Sequence, residues 1–271
     1  MGTFSHVIEP AYPGVLAHYV NLGEFYDRKQ LRPHAAEFIE VKKLYQASYV
    51  RAYQCLRAAH EVRCNGEKEC VTDGVLAKIA KRAKGILSRE LKKKKGEAGT
   101  VTQRFLDAIT CQGVLCLYES IYNQCKRIYE IQDYGGTSHE LLRELKKGIV
   151  EAGYDVTVFP SPEDPNQLSH LMVPELKLAF ISKKGHESLE KRPYRRIRME
   201  TMIDKEQMKA NRAKLRFSNR IASELLADGI AELQKAKKYH DEMESAYHPF
   251  VDFEGVNRVT RELIKEISAL P

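Results

Sequence analysis

The 271-residue chain contains no tryptophan, and none of its apolar runs approaches the ~20 residues that a membrane-spanning helix needs. The first residues also lack the basic, apolar and small-residue regions of a secretory signal. The expectation is a cytoplasmic protein with no membrane partner. Metal-binding signatures are missing too. Cys64 and Cys70 are separated by five residues and Cys111 and Cys116 by four, and no second close pair with histidine completes a tetrahedral set. In a reducing compartment the six cysteines are therefore expected to be free thiols. No serine, cysteine or carboxylate stands in a recognisable catalytic motif. Ser138 follows a glycine turn, but GGTSHE lacks the flanking glycines of a nucleophile elbow.

Charge is not one-sided either. A net charge of +7 is mild for this length and does not by itself point to nucleic acid. Two basic stretches stand out, KKKK at 92–95 and KKGHESLEKRPYRRIR at 183–198. Such stretches bind phosphate backbones by counterion release, but no aromatic residue for base stacking flanks the lysine run. It is followed by GEAG and reads as a solvated, flexible linker. At 43% apolar residues, the chain can bury a core in one large domain or two modest ones.

What the sequence does contain is an internal repeat. VNLGEFYDRKQL, beginning at Val20, matches IRMETMIDKEQM, beginning at Ile197, and Asp27 falls on Asp204. The same register carries Phe38 onto Leu215, Leu44 onto Ile221, Leu56 onto Leu233 and Ala59 onto Ala236. After a small length difference, DGV at 73–75 pairs with EGV at 254–256, each opening a helix, and upstream His6 pairs with His186. Residues 1–98 thus read as the helical tail of a truncated first module, and 99–271 as a complete second one.

Within the second module, RFLDAITCQGVLCLYESI supplies a first strand and a short helix. KRIYEIQD is a buried strand, YGGTS a turn, and residues 139–152 a helix with Leu141, Leu142, Leu145 and Ile149 on one face. YDVTVF is another strand, and HLMV and KLAFIS bracket the turn PEL. Strand, turn, helix and strand at this spacing form a βαβ unit and imply an α/β fold with a parallel sheet and flanking helices. Two long helical hairpins extend it: helices at about 31–62 and 74–91 in the first module, and at about 205–247 and 255–269 in the second. The first pair is expected to need a cover, from the second module or a second chain. His240 and Glu244, with Asp241 beside them, and His60 with Glu61 have metal-ligand spacing, but capping or interhelical hydrogen bonding is the commoner role of such pairs.

The turn QDYGGTSH occupies the place of a phosphate loop. A functional Walker loop, G-x-x-x-x-G-K-[ST], folds backbone amides around phosphates, neutralises them with lysine and holds Mg²⁺ with the hydroxyl. Laid over 132–139, its glycines become Gln132 and Thr137, Ser138 takes the lysine position and His139 the hydroxyl position, while Gly135 and Gly136 survive inside. KLAFIS ends in Ser182, Lys183 and Lys184 where a Walker-B strand would end in aspartate. Turn amides and a helix N-terminus remain, so weak anion binding at Gly135, Gly136, Thr137, Ser138 and His139 is still allowed. A lysine from elsewhere, Lys146, Lys147, Lys183 or Lys184, is the one route back to phosphate affinity.

On HVIEPAYPG, VNLGEFYDRKQLRPH, RFLDAITCQGV, YDVTVFPSPEDPNQLSHLMVPELKLAFIS and HDEMESAYHPFVDFEGVN, the chain resembles an uncharacterised bacterial family of proteins with two tandem P-loop ATPase modules. The resemblance spans nearly the whole chain. It implies a P-loop NTPase-like sheet and, in intact members, ATP or GTP with Mg²⁺ as ligand. The family's nucleotide-binding residues do not carry over to 132–139. The first module's own loop would fall upstream of Met1. The resulting expectation is a degenerate P-loop ATPase-like protein with lost or weak hydrolysis, a binding or regulatory role, and a protein partner or homo-oligomer covering the first module. The alternatives are an ATP- or GTP-binding protein or slow NTPase with an atypical loop, and a basic-surface nucleic-acid binder.

Overall fold

The computed structural model describes residues 20–94, 96–184 and 189–269. In chain order the elements are α1 (Arg28–Leu31), α2 (Ala35–Glu67), α3 (Asp73–Glu90), β1 (Val101–Gln103), β2 (Asp107–Thr110), β3 (Gly113–Cys116), α4 (Tyr118–Gln124), β4 (Arg127–Gln132), α5 (Thr137–Glu151), β5 (Val156–Pro160), β6 (Leu168–Val173), β7 (Leu178–Lys183), β8 (Arg195–Arg198), α6 (Lys205–Tyr247) and α7 (Phe253–Ser268). HVIEPAYPG with His6, and also His186, lie outside the described residues. The chain divides into two compact units, Gln46–Lys237 and, as the smaller, Met1–Tyr45 with Lys238–Pro271. The division falls inside the two long helices. A repeated segment and a compact unit need not share a boundary.

The larger unit is built on a six-stranded sheet of order β1-β5-β6-β7-β4-β8. β4 lies between β7 and β8 and is parallel to both, and β1 is parallel to β5. The expected all-parallel sheet needs one correction, since β6 runs antiparallel to β5 and β7. The three-residue turn Pro174–Leu176 is too short to cross the sheet, so it can only lead into an antiparallel neighbour. RFLDAITCQGVLC is corrected likewise. It forms a separate two-stranded hairpin, β2 and β3, around the turn at Gly113, followed by α4.

Ile128 and Ile131 of β4 are buried on opposite faces of the sheet, as period-two alternation on a strand covered on both sides requires. On one face α5 buries Leu141, Leu142, Leu145 and Ile149 completely. α3 joins that core through Val75, Ile79, Ala83 and Ile86, spaced three or four apart on one helical stripe. Gly148 lets the two helices close, because a Cβ there would stand 2.3 Å from Leu87 Cδ1. The cover that α3 needs is therefore α5 and the sheet of the same chain. α2 and α6 pack antiparallel through small residues: Ala52, Ala59 and Ala222 are buried, Gly229 faces Leu56, and Gly66 faces Ser218.

GEAG is no loose linker. Gly99 N–H donates to Val150 O at 2.9 Å, and Thr100 N–H and Oγ1 both donate to Asp155 Oδ1 at 2.7 Å. A Cβ on Gly99 would stand 1.9 Å from the Tyr154 carbonyl oxygen, so the segment lies flat on backbone. Gly99→Ala is expected to cost about 2 kcal/mol or more in urea unfolding, because neither backbone can yield without losing these bonds. A cost below about 0.5 kcal/mol would mean the segment is not pinned.

In the smaller unit a 3-10 turn, Leu22–Phe25, precedes α1, and Asp27 caps α1 by accepting from Lys29 and Gln30 N–H. Asp27 N–H donates to Phe250 O, and Asp252 N–H to Phe25 O, both at 2.8 Å. Phe38 stacks on Tyr247 with ring centroids 4.2 Å apart. α7 buries only Gly255, and Ile264 and Ile267 are 57% and 65% exposed. The repeat register recurs in the elements. The 3-10 turns Leu22–Phe25 and Met199–Met202 correspond, Arg28 and Lys205 each open a helix, and Thr72 and Asp252, one position out of the DGV–EGV register, each cap the next one.

Candidate functional site

The glycine turn lies where an open α/β sheet binds ligands. From β4 the chain passes through α5 to β5 on one side, whereas from β7 it passes over to β8 on the other side of β4. The divergence opens a crevice at the carboxyl end of β4, the general position of ligand sites in such folds. Asp133, Tyr134, Gly135 and Gly136 bridge β4 to α5, with Gly135 at φ 61° and Gly136 at φ 72°. Both conformations are left-handed and favour glycine.

Three amides of this turn, those of Gly136, Thr137 and Ser138, are already occupied. Ser138 N–H donates to Asp133 Oδ1 at 2.8 Å and Gly136 N–H to Asp133 Oδ2 at 3.2 Å, so one carboxylate takes both. Thr137 Oγ1 donates to Tyr134 O at 2.8 Å. An internal anion thus sits on the positive end of α5, where a phosphate oxygen would otherwise sit. The two glycines serve packing. A Cβ on Gly135 would stand 2.7 Å from Cys70 Sγ, and one on Gly136 2.6 Å from Glu67 Oε2. Burial, and then the Asp133 charge, push the Glu67 carboxyl up to about 7, against attraction from Lys184 and Arg63. Burial and the same two carboxylates push the Cys70 thiol up to about 11.

Of the remaining turn residues, Ser138 accepts a hydrogen bond from Ser182 Oγ at 2.9 Å, at the end of β7. His139 turns elsewhere: its Nδ1 accepts from Leu168 N–H at 2.8 Å, and burial lowers its pKa. The hydroxyl that meets the end of β7 is therefore Ser138's. Read one residue earlier, over 131–138, the phosphate-loop pattern puts Gly136 on the second glycine, Thr137 on the lysine and Ser138 on the hydroxyl. Neither register contains a lysine.

The substitute lysines are committed or distant. Lys184 pairs with Glu163, and Lys183 Nζ lies 4.7 Å from the Tyr118 ring centroid. Lys146 and Lys147 lie roughly 14 Å along α5 from its start, at 1.5 Å per residue. Behind β7, His170 is buried, with Nε2 2.7 Å from Asp107 Oδ2 and Nδ1 accepting from Ser182 N–H at 3.2 Å. That acceptance fixes the neutral tautomer, with Nε2–H donating to the carboxylate. Burial raises the Asp107 pKa, the hydrogen bond from His170 lowers it, and the net shift is downward.

Beside the turn lies a cavity of about 780 Å³. Arg198 from the end of β8 and Arg212 and Arg216 from α6 line it, with Asn219 and Ser223 continuing the polar side of the helix, and Glu200 lines it too. Arg63 lines it as well but is buried against Glu163, whose carboxyl Lys184 and Arg63 hold below its usual range although burial raises it. Among the described residues no carboxylate forms an ion pair with Arg198, Arg212 or Arg216.

Two other clusters are weaker. Cys64 Sγ lies 3.5 Å from His60 Nε2, but burial and then Glu67 raise its pKa, the opposite of an activated nucleophile. In the smaller unit, His240, Asp241 and Glu244 bring one ligand atom each within 4.8 Å of one another, and the His240 ring packs edge-on against Tyr45. The six cysteines are free thiols. No described helix is long and apolar enough to cross a membrane.

Asp133, Glu67 and the three arginines were not singled out from sequence. The spacing of Arg212, Arg216, Asn219 and Ser223, four, three and four residues apart, is one helical face and was readable. The proximity of Glu67 to the turn, across 69 positions from Glu67 to Gly136, carries no local signal. No protein-family model matches the chain, and no curated protein or solved structure matches it either.

Proposed function

We propose that this chain is a degenerate P-loop ATPase-like protein that has lost nucleotide hydrolysis and acts as a binding or regulatory module. The observation that carries the reading is the Asp133 carboxylate seated on the Gly136 and Ser138 amides. Phosphoryl transfer needs those amides, a cation on the terminal phosphates and a metal ligand. Here the amides face an internal anion, the lysine is missing in either register, and β7 ends in Ser182 and Lys183 in place of an acid. A triphosphate brought to the loop would meet the Asp133 charge, with Glu67 and Cys70 packed behind the glycines.

Calorimetric titration with ATP and GTP, with and without Mg²⁺, tests this directly. The expected result is no Mg²⁺-dependent tight binding and no phosphate release. Tight binding that requires Mg²⁺ would favour the slow-NTPase reading instead. Asp133→Asn, which removes the internal charge but keeps an oxygen for the turn, is expected to raise affinity for phosphate at the loop severalfold without restoring hydrolysis. A partner protein remains part of the proposal, and the exposed apolar side of α7 is the surface it would cover.

A further inference from the structure

We propose that the crevice beside the blocked turn holds a small phosphorylated ligand through Arg198, Arg212 and Arg216, away from the loop amides. The proposal rests on the reading that Asp133 closes the loop, and it supplies the binding role that reading leaves unspecified. Three observations lead to it. The cavity, at about 780 Å³, has the size of a nucleotide-scale site and lies in the crevice at the carboxyl ends of β4, β7 and β8. Its cations come from two separate elements, the end of β8 and the first third of α6, so they do not simply follow one helix surface.

The third observation is charge balance. Around the cavity the single Glu163 carboxylate pairs with both Arg63 and Lys184, Glu67 beside Asp133 holds a proton up to about neutral pH, and the Asp133 carboxylate is taken up by the Gly136 and Ser138 amides. That leaves three arginines and Glu200, with no ion pair to any of the three among the described residues. Elsewhere in this unit three cations along α6 and α3 form ion pairs: Lys214 with Glu69, Lys78 with Asp204 and Lys235 with Glu232. Guanidinium groups present fork-shaped donors that match phosphate oxygens, and a dianionic or more highly charged phosphate offsets their mutual repulsion. Asn219 and Ser223 extend the same face with neutral donors suited to a sugar or another polar group beyond the phosphates.

Titration with inorganic pyrophosphate and with ATP, both without Mg²⁺, tests the site on the full chain. The expected result is saturable binding that weakens with salt and does not need Mg²⁺. Arg212→Glu with Arg216→Glu should lower the affinity at least tenfold, and Arg198→Gln should lower it severalfold. Lys214→Glu, on the same helix but paired with Glu69, should change it less than twofold, and circular-dichroism melting of each variant reports whether it is folded. ATP binding tighter than pyrophosphate would identify a nucleoside phosphate as the source of the charge. Equal affinity would identify the phosphates alone. No binding of either anion at millimolar concentration would overturn the inference and leave the blocked-loop reading intact. Mg²⁺-dependent binding insensitive to the arginine changes but altered by Asp133→Asn would overturn both. A single-stranded RNA bound far more tightly than pyrophosphate, and lost with the same arginines, would replace the small molecule by a nucleic acid.

Discussion

Ile86→Asp is expected to cost about 4 kcal/mol or more and to leave the chain largely unfolded or aggregated, whereas Ile267→Asp should change stability by less than about 0.5 kcal/mol. The two positions correspond in the repeat register set by DGV and EGV, and both lie on the apolar stripe of the helix that follows a long one. What differs is the cover. Ile86 is 1% exposed in the core formed by α3, α5 and the sheet, while Ile267 is 65% exposed on α7. A carboxylate at position 86 would be buried in an apolar cluster, and the lost apolar contact adds to the penalty. Urea denaturation of the two variants side by side measures the difference. Equal effects would mean that α7 is covered in solution as α3 is here.

Glu67 predicts a reversed pH dependence. Its folded pKa, about 7, lies above the ordinary carboxyl value of 4.5, so the folded state holds the proton more strongly. The stabilisation is present below the unfolded pKa and is lost as pH rises through about 7. Between about pH 5 and pH 8 this one group is worth of the order of 2–3 kcal/mol of falling stability. Glu67→Gln keeps the shape, can donate to Asp133 and removes the titration. The variant should therefore melt above wild type at about pH 8 and show a flatter profile. A wild-type profile that rises from about pH 5 to pH 8, or a Glu67→Gln variant that loses stability at pH 8, would contradict the coupling with Asp133.

Periodicity carried much of the fold. The stripe Ala222, Leu233 and Ala236 lies on α6, which runs over Lys205–Tyr247 as expected, and Leu141, Leu142, Leu145 and Ile149 define α5. Local pattern could not tell which way β6 runs, because direction depends on connection length and on sheet neighbours far along the chain. GEAG reads as flexible by composition, yet its glycine is there because Tyr154 leaves no room for a Cβ.

At the site, the glycines and the missing lysine were legible, and what fills the turn was not. Asp133 was visible only as a residue inside a poorly matching motif, since its role depends on a side-chain rotamer that aims the carboxylate back at the following amides. The residues behind the glycines, Glu67 and Cys70, come from the end of α2 and the turn after it, and a single chain offers no local cue to that contact. The basic stretch at 183–198 was legible as charge, but its split into Lys184, held by Glu163, and Arg198, facing the cavity, required the strands that carry them.

The most direct test of the blocked turn is a ¹⁵N-resolved NMR titration with Mg²⁺·ATP that follows the Gly136 and Ser138 amides. If Asp133 occupies them, neither resonance moves further with Mg²⁺·ATP than with ATP alone in the neighbouring crevice in the wild type, and both do so in Asp133→Asn, where the internal charge is gone. Saturable movement of both amides in the wild type, dependent on Mg²⁺, would mean that nucleotide displaces Asp133 and that the loop still works as a phosphate site.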